Sequence, residues 1–110
     1  MLSPNNLPEP ELLKTILQPL LEDFQYWFER SRNLLETEKI SFLSEKQQID
    51  LLERVKQAQK EVTTAKTLFE ATDGRVGVEM TVLMPWHKLL TECWQIATRF
   101  RLEQSKGVES

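Results

Sequence analysis

Residues 44–74 read SEKQQIDLLERVKQAQKEVTTAKTLFEATDG, and their spacing decides the fold. Leu51, Val55, Ala58, Val62, Ala65, Phe69 and Thr72 follow one another in alternating steps of four and three. An α-helix turns once in about 3.6 residues, so this set marks one stripe along it, a heptad-like seam. Two of its members are alanine, which lets neighbouring helices approach closely. Ser44 stands where its hydroxyl can cap the first orphan N–H groups, and Gln47 can reach back to it, a capping-box pattern. Lys46 with Asp50, and Lys66 with Glu70, have i,i+4 spacing on the solvated side. Asp73-Gly74 then supplies a helix stop.

The same period extends to both sides. From Glu11 to about Glu36, Leu13, Ile16, Leu17, Leu20, Phe24, Trp27, Ser31 and Leu34 mark one face of an amphipathic helix. Pro10 suits its first turn, where a missing N–H costs nothing. Pro19 removes an interior hydrogen bond and predicts a bend. On the C-terminal side, Val76, Val78, Met80, Val82 and Met84 alternate with other residues, a strand period. Val78, Val82 and Trp86 also fit a helix, and helix is favoured because no second strand-like run exists to pair with this one. From Trp86 onward, Leu90, Cys93, Ala97 and Phe100 repeat the four-three spacing.

Three long helices joined by short connections predict an all-α, up-down-up antiparallel three-helix bundle, with proline kinks in the first and third helices. The expected organisation is a flexible tail over 1–10, the bundle over 11–104 and a second flexible tail over 105–110. A chain of 110 residues can bury a core without metals or disulfides. Its net charge of −3 argues against nucleic acid as the main partner, since phosphate-binding domains carry a basic stripe. The single cysteine makes no internal disulfide and fits a reducing compartment. No stretch reads as a signal peptide or as a membrane span, so the expected location is the cytoplasm, with peripheral membrane association left open.

One stretch concentrates reactive residues. MPWHKLLTECW, residues 84–94, holds the only histidine, His87, the only cysteine, Cys93, and two of the three tryptophans, Trp86 and Trp94. On a helical wheel Trp86, Leu90 and Cys93 fall within about 60° of one another, so Cys93 points into the seam as a small hydrophobe. His87 falls on the boundary between core and solvent, with Trp94 seven residues on along the same flank. One histidine makes no zinc site, and Cys93 lies about 120° from it around the helix, too far for a nucleophilic pair. In the first helix, Phe24, Trp27 and Phe28 share an arc of about 100° and belong in the core. Tyr26 points the other way and is a candidate exposed contact. No phosphate loop, di-iron Glu-x-x-His pair or nucleophile elbow is present, so no catalytic residue, metal site or cofactor is expected.

Two surface features remain. Pro19 and Pro85 each lie about eight residues into their helices, and in an up-down-up bundle these helices run parallel. Two bends at one end would open a groove over the C-terminal half of the second helix, lined by Leu13, Leu17, Leu20, Ala65, Phe69, Met80, Met84 and Trp86, with His87 nearby. Methionines suit such a surface because they adapt to apolar partners of different shape. At the other end, Arg30, Arg32, Arg99 and Arg101 are expected to gather into a weak basic patch, favoured in any case by the helix dipoles.

LLEDFQYWFERSRNLLE, ISFLSEKQQIDLLERVKQAQKEV and ATDGRVGVEM followed by LMPWHKLLTECW together resemble a small cyanobacterial family, a domain of unknown function. The resemblance spans roughly residues 11–104. It implies a cyanobacterial origin and a cytoplasmic or thylakoid-associated setting, and it assigns no catalytic or binding residue. The expected function is a non-enzymatic protein-binding module, an assembly or regulatory factor for a larger, photosynthetic complex, with a homodimer as one use of the same surface. The alternative is a binder of a small apolar or tetrapyrrole ligand between the kinked helix ends, beside His87.

Overall fold

The computed structural model describes residues 9–75 and 78–109. It has three helices, α1 (Glu9–Thr37), α2 (Glu45–Ala71) and α3 (Met80–Glu109), and no strand among the described residues. The ambiguous run before Trp86 is helical from Met80, whereas Val78 and Glu79 precede the helix and Val76 lies outside the described residues. Helices α1 and α3 each continue through their proline.

Helix α2 forms as its sequence predicts. The Ser44 hydroxyl accepts from the Gln47 N–H at 3.0 Å, and the Gln47 side chain accepts from the Ser44 N–H at 2.8 Å. Leu51, Val55, Ala58, Val62 and Phe69 of the seam are buried, with Ala65 partly so. Of the two predicted ion pairs, Lys66 meets Glu70 at 3.7 Å, whereas Asp50 pairs with Arg54 at 3.1 Å rather than with Lys46. The arginine presents a planar fork to the carboxylate and lies one turn towards the C-terminus, the favoured order.

The end of α2 is closed by two residues in the left-handed region, Asp73 at φ 55° and Gly74 at φ 80°. Asp73 N–H bonds to the Glu70 carbonyl and Gly74 N–H to the Phe69 carbonyl at 2.7 Å, the paired bonds of a Schellman motif. Asp73, exposed, pairs with Lys14 of α1, and that ammonium holds its carboxyl below the usual range. Gly74 is buried, so a Cβ there meets both the backbone penalty and the core. Gly74→Ala is therefore expected to cost about 1–2 kcal/mol in urea unfolding. A loss within about 0.3 kcal/mol of zero would show that the turn relaxes freely.

The core is continuous along the molecule and centres on Leu21, Phe24, Phe28, Leu35, Ile40, Val55, Val62, Phe69 and Trp86. Each large side chain removed from water contributes roughly 1.5–3 kcal/mol. Leu21, Leu35 and Ile40 do not belong to the predicted stripe, while Ile16, which does, is half exposed. The reason is rotational. α1 packs against both other helices, so its buried arc is centred on the Leu17–Leu21–Phe24–Phe28 side and Ile16 falls at its rim. Across α1 and α2, Gln18 meets Glu70, Gln25 meets Thr63 and Arg32 meets Gln59, numbers rising on one helix as they fall on the other. Across α1 and α3, Phe24 meets Trp86 and Trp27 meets Trp94, both numbers rising together.

Candidate functional site

Helices α2 and α3 both pack on α1 but approach each other closely at few points. Two polar contacts bridge them. The buried indole of Trp86 donates to a Glu61 carboxylate oxygen at 2.9 Å, which satisfies the one polar atom of the largest core side chain. Nearly two turns further along α3, Glu92 accepts from both terminal guanidinium nitrogens of Arg54 at 3.0 Å, and the Arg54 Nε donates to Asp50. The bidentate Glu92 carboxylate raises the Arg54 pKa above its ordinary value.

These two bridges divide a long groove. On one side of the Glu61–Trp86 bond lies a concavity of about 450 Å³ floored by Ala65, Leu68, Val78, Val82 and Trp86, with Lys60, Glu61 and Glu79 on its rim. On the other lies one of about 510 Å³ bounded by Arg54, Ala58, Pro85, Leu89 and Glu92. Leu68 is 50% exposed and Val82 40%, so the first is an open apolar surface rather than a packed seam.

This surface lies over the C-terminal half of α2, but its walls differ from those expected. Ala65 and Trp86 line it. Leu17 and Phe69 are buried in the core instead, because their arcs face the centre of the bundle, and Leu20 is partly buried against them. The side chain of Leu13 lies outside the described residues. Met80 and Met84, 66% and 50% exposed, do not line this concavity, and neither does the exposed His87. Spaced four and three apart, these three residues share another face of α3, turned well away from Trp86 by the helical period. Glu61, Leu68, Val78 and Val82 take their places. Leu68, an apolar residue off the α2 seam, was the signal for them in the sequence.

The other candidates separate as well. Trp94 packs edge-on against Trp27 at 5.7 Å, and Tyr26, 53% exposed, meets Trp27 at 5.0 Å. The four arginines turn to different partners. Arg32 turns to Glu36 and Gln59 between α1 and α2, and Arg99 stacks over the Phe42 ring at 4.1 Å beside the first connection. Arg30 and Arg101 face a third concavity, between α1 and α3. Each side chain takes a carboxylate, amide, ring or hydroxyl within its own reach.

Cys93 is buried, and burial pushes its thiol pKa up, opposed by a hydrogen bond with Ser31. The raised pKa favours the neutral thiol in the fold, so its contribution to stability is present at neutral pH and is lost as pH rises past the thiol's ordinary range. With the thiolate both scarce and covered, labelling by a thiol reagent at pH 7.5 is expected to run at least about a hundredfold slower in buffer than in denaturant. Comparable rates in the two would place Cys93 at the surface. Among the described residues no group of histidine, cysteine or acidic side chains is placed to hold a metal ion. No described helix is long and apolar enough to cross a membrane.

The family model described as "Protein of unknown function (DUF2605)" matches residues 7–102. The chain belongs to this family. The match takes in the seam of α2, both interhelical bridges and the whole of the α2–α3 groove, so these features lie inside the DUF2605 unit. Comparison with curated proteins and with solved structures finds no match.

Proposed function

We propose that this DUF2605 protein is a non-enzymatic protein-binding module whose α2–α3 groove receives an amphipathic helix of a partner protein. The observation that carries this reading is the apolar floor at Leu68, Val78 and Val82, left open beside the Glu61–Trp86 bridge between α2 and α3. A fourth helix laid there buries apolar surface at its centre and meets Lys60, Glu61 and Glu79 at its rim, the anatomy of helix-in-groove recognition. The residue pairings between helices support an up-down-up arrangement, and bends at Pro19 and Pro85 would set the two walls of the groove apart. In the cyanobacterial setting that the sequence resemblance implies, the partner is a component of a larger complex whose assembly or regulation the module serves.

The test is capture of a partner by the tagged chain, from soluble and membrane fractions separately, beside a Leu68→Asp/Val82→Asp variant. Both substitutions fall on exposed positions, so helicity by circular dichroism should be unchanged while a near-stoichiometric partner is lost. A partner retained equally by the variant would move the binding surface elsewhere.

A further inference from the structure

The third concavity, about 430 Å³ between α1 and α3, has a composition unlike the groove's. Its walls include Trp27, Leu34, Trp94 and Phe100, and two guanidinium groups, Arg30 and Arg101, share it. The rings are held rather than loose: Trp27 and Trp94 meet edge to face at 5.7 Å with planes at 90°. Arg30 lies 5.6 Å over the Tyr26 ring and 5.7 Å over that of Trp27, and it donates to the Tyr26 hydroxyl at 3.0 Å. Arg101 contacts the Thr98 hydroxyl at 3.4 Å.

The charges here are uncompensated. Arg32 and Arg54 each meet carboxylates, at Glu36 and at Asp50 and Glu92. Arg30 and Arg101 meet only hydroxyls, and among the described residues neither forms an ion pair. A concavity of this size, walled by aromatic and aliphatic side chains with a small number of placed polar groups, has the make-up of a small-molecule site. Two arginines with donors to spare add a preference for a planar anion such as carboxylate, which the guanidinium fork binds through paired hydrogen bonds.

We infer that this protein binds a monomeric carboxylate amphiphile between α1 and α3, its apolar chain lying against Trp27 and Trp94 and its carboxylate held by Arg30 and Arg101. The site is separate from the α2–α3 groove and stands whether or not a partner helix docks there.

The three tryptophans give the experiment its resolution. Sodium decanoate, kept below its micelle concentration, is titrated into the ¹⁵N-labelled full chain while the three indole N–H signals are followed. The Trp27 and Trp94 signals should move saturably, and that of Trp86, tied to Glu61 outside the concavity, should stay in place. Neutral decanol should bind at least roughly tenfold more weakly, and Arg101→Gln should weaken decanoate by a similar factor, the scale of one hydrogen bond to a charged group. Arg30→Gln should do the same, but Arg30 also packs on Trp27. Arg101, joined only to Thr98, therefore decides the matter if the Arg30 variant misfolds. Absence of saturation, equal binding of decanol, or an Arg101→Gln variant that binds as well as the parent would each overturn the site. Co-sedimentation with phosphatidylglycerol vesicles without saturable decanoate binding would also overturn it, in favour of a membrane surface.

Discussion

Trp86→Ala is expected to remove about 3–5 kcal/mol of stability, the largest loss from any single truncation in the chain apart from Phe28. Trp86 is 2% exposed, meets Phe24 edge-on at 5.6 Å and lines the groove between α2 and α3. Its removal opens a cavity beside that groove and breaks the hydrogen bond to Glu61 at once. A domain of this size holds roughly 5–15 kcal/mol in total, so the melting temperature should fall on the order of 20 °C. Trp86→Phe separates the two contributions. It keeps a smaller ring in the core and deletes the indole donor, at an expected cost of about 1–2 kcal/mol from lost volume and hydrogen bond together. Because Glu61 is exposed and can turn to water, Glu61→Gln should cost less than either. Urea unfolding of the three variants checks the order. A Trp86→Ala loss below about 1 kcal/mol would mean that the indole is not a core member.

The role of Trp86 in the core was legible, because it begins a four-three series with Leu90 and Cys93, all three of which are buried. Hydrophobic period reports which arc of a helix is covered. It does not report how closely two covered arcs approach. That is why the helices and the α2 cap follow from the sequence, while the groove's true walls do not. Leu17 and Phe69 satisfy the period and lie in the core, whereas Leu68, flanking the α2 seam, and Val82, one turn before Trp86 on its own series, carry the open surface. The partners of the four arginines were not legible for a related reason. Placing four cations near helix ends follows from the dipole, but each guanidinium then adopts the partner its rotamer can reach, Phe42 for Arg99 and Gln59 for Arg32. Such contacts join residues tens of positions apart, and no local pattern encodes them.

The connection between α1 and α2 is the clearest case of structure outside local pattern, and it yields the second large effect. Ile40 in this connection is fully buried, so its backbone must find partners away from water. Its carbonyl accepts from the Leu43 N–H at 3.1 Å, and one side chain takes its N–H together with two neighbouring carbonyls. The Gln48 Oε1 accepts from the Ile40 N–H at 3.0 Å, while its Nε2 donates to the carbonyls of Leu35 at 2.9 Å and Glu38 at 2.7 Å. A single amide on α2 thus joins the end of α1, the connection and the start of α2. Gln48→Ala leaves one donor and two acceptors without these partners and is expected to cost about 2–3 kcal/mol. Gln48→Glu is the sharper variant. The introduced carboxylate can still accept from Ile40, but its second oxygen faces two carbonyls where an NH₂ group stood. Its charged form is therefore disfavoured in the fold and its pKa raised, so the variant should be about as unstable as Gln48→Ala at pH 7. As pH falls through that raised pKa the carboxyl gains a proton and becomes a donor, and the deficit relative to the parent should shrink. Urea midpoints for parent and variant at pH 7 and pH 4.5 measure this directly. A deficit that is the same at both values would mean that the amide donors of Gln48 do not hold the two carbonyls, and that the connection is fixed by burial of Ile40 alone.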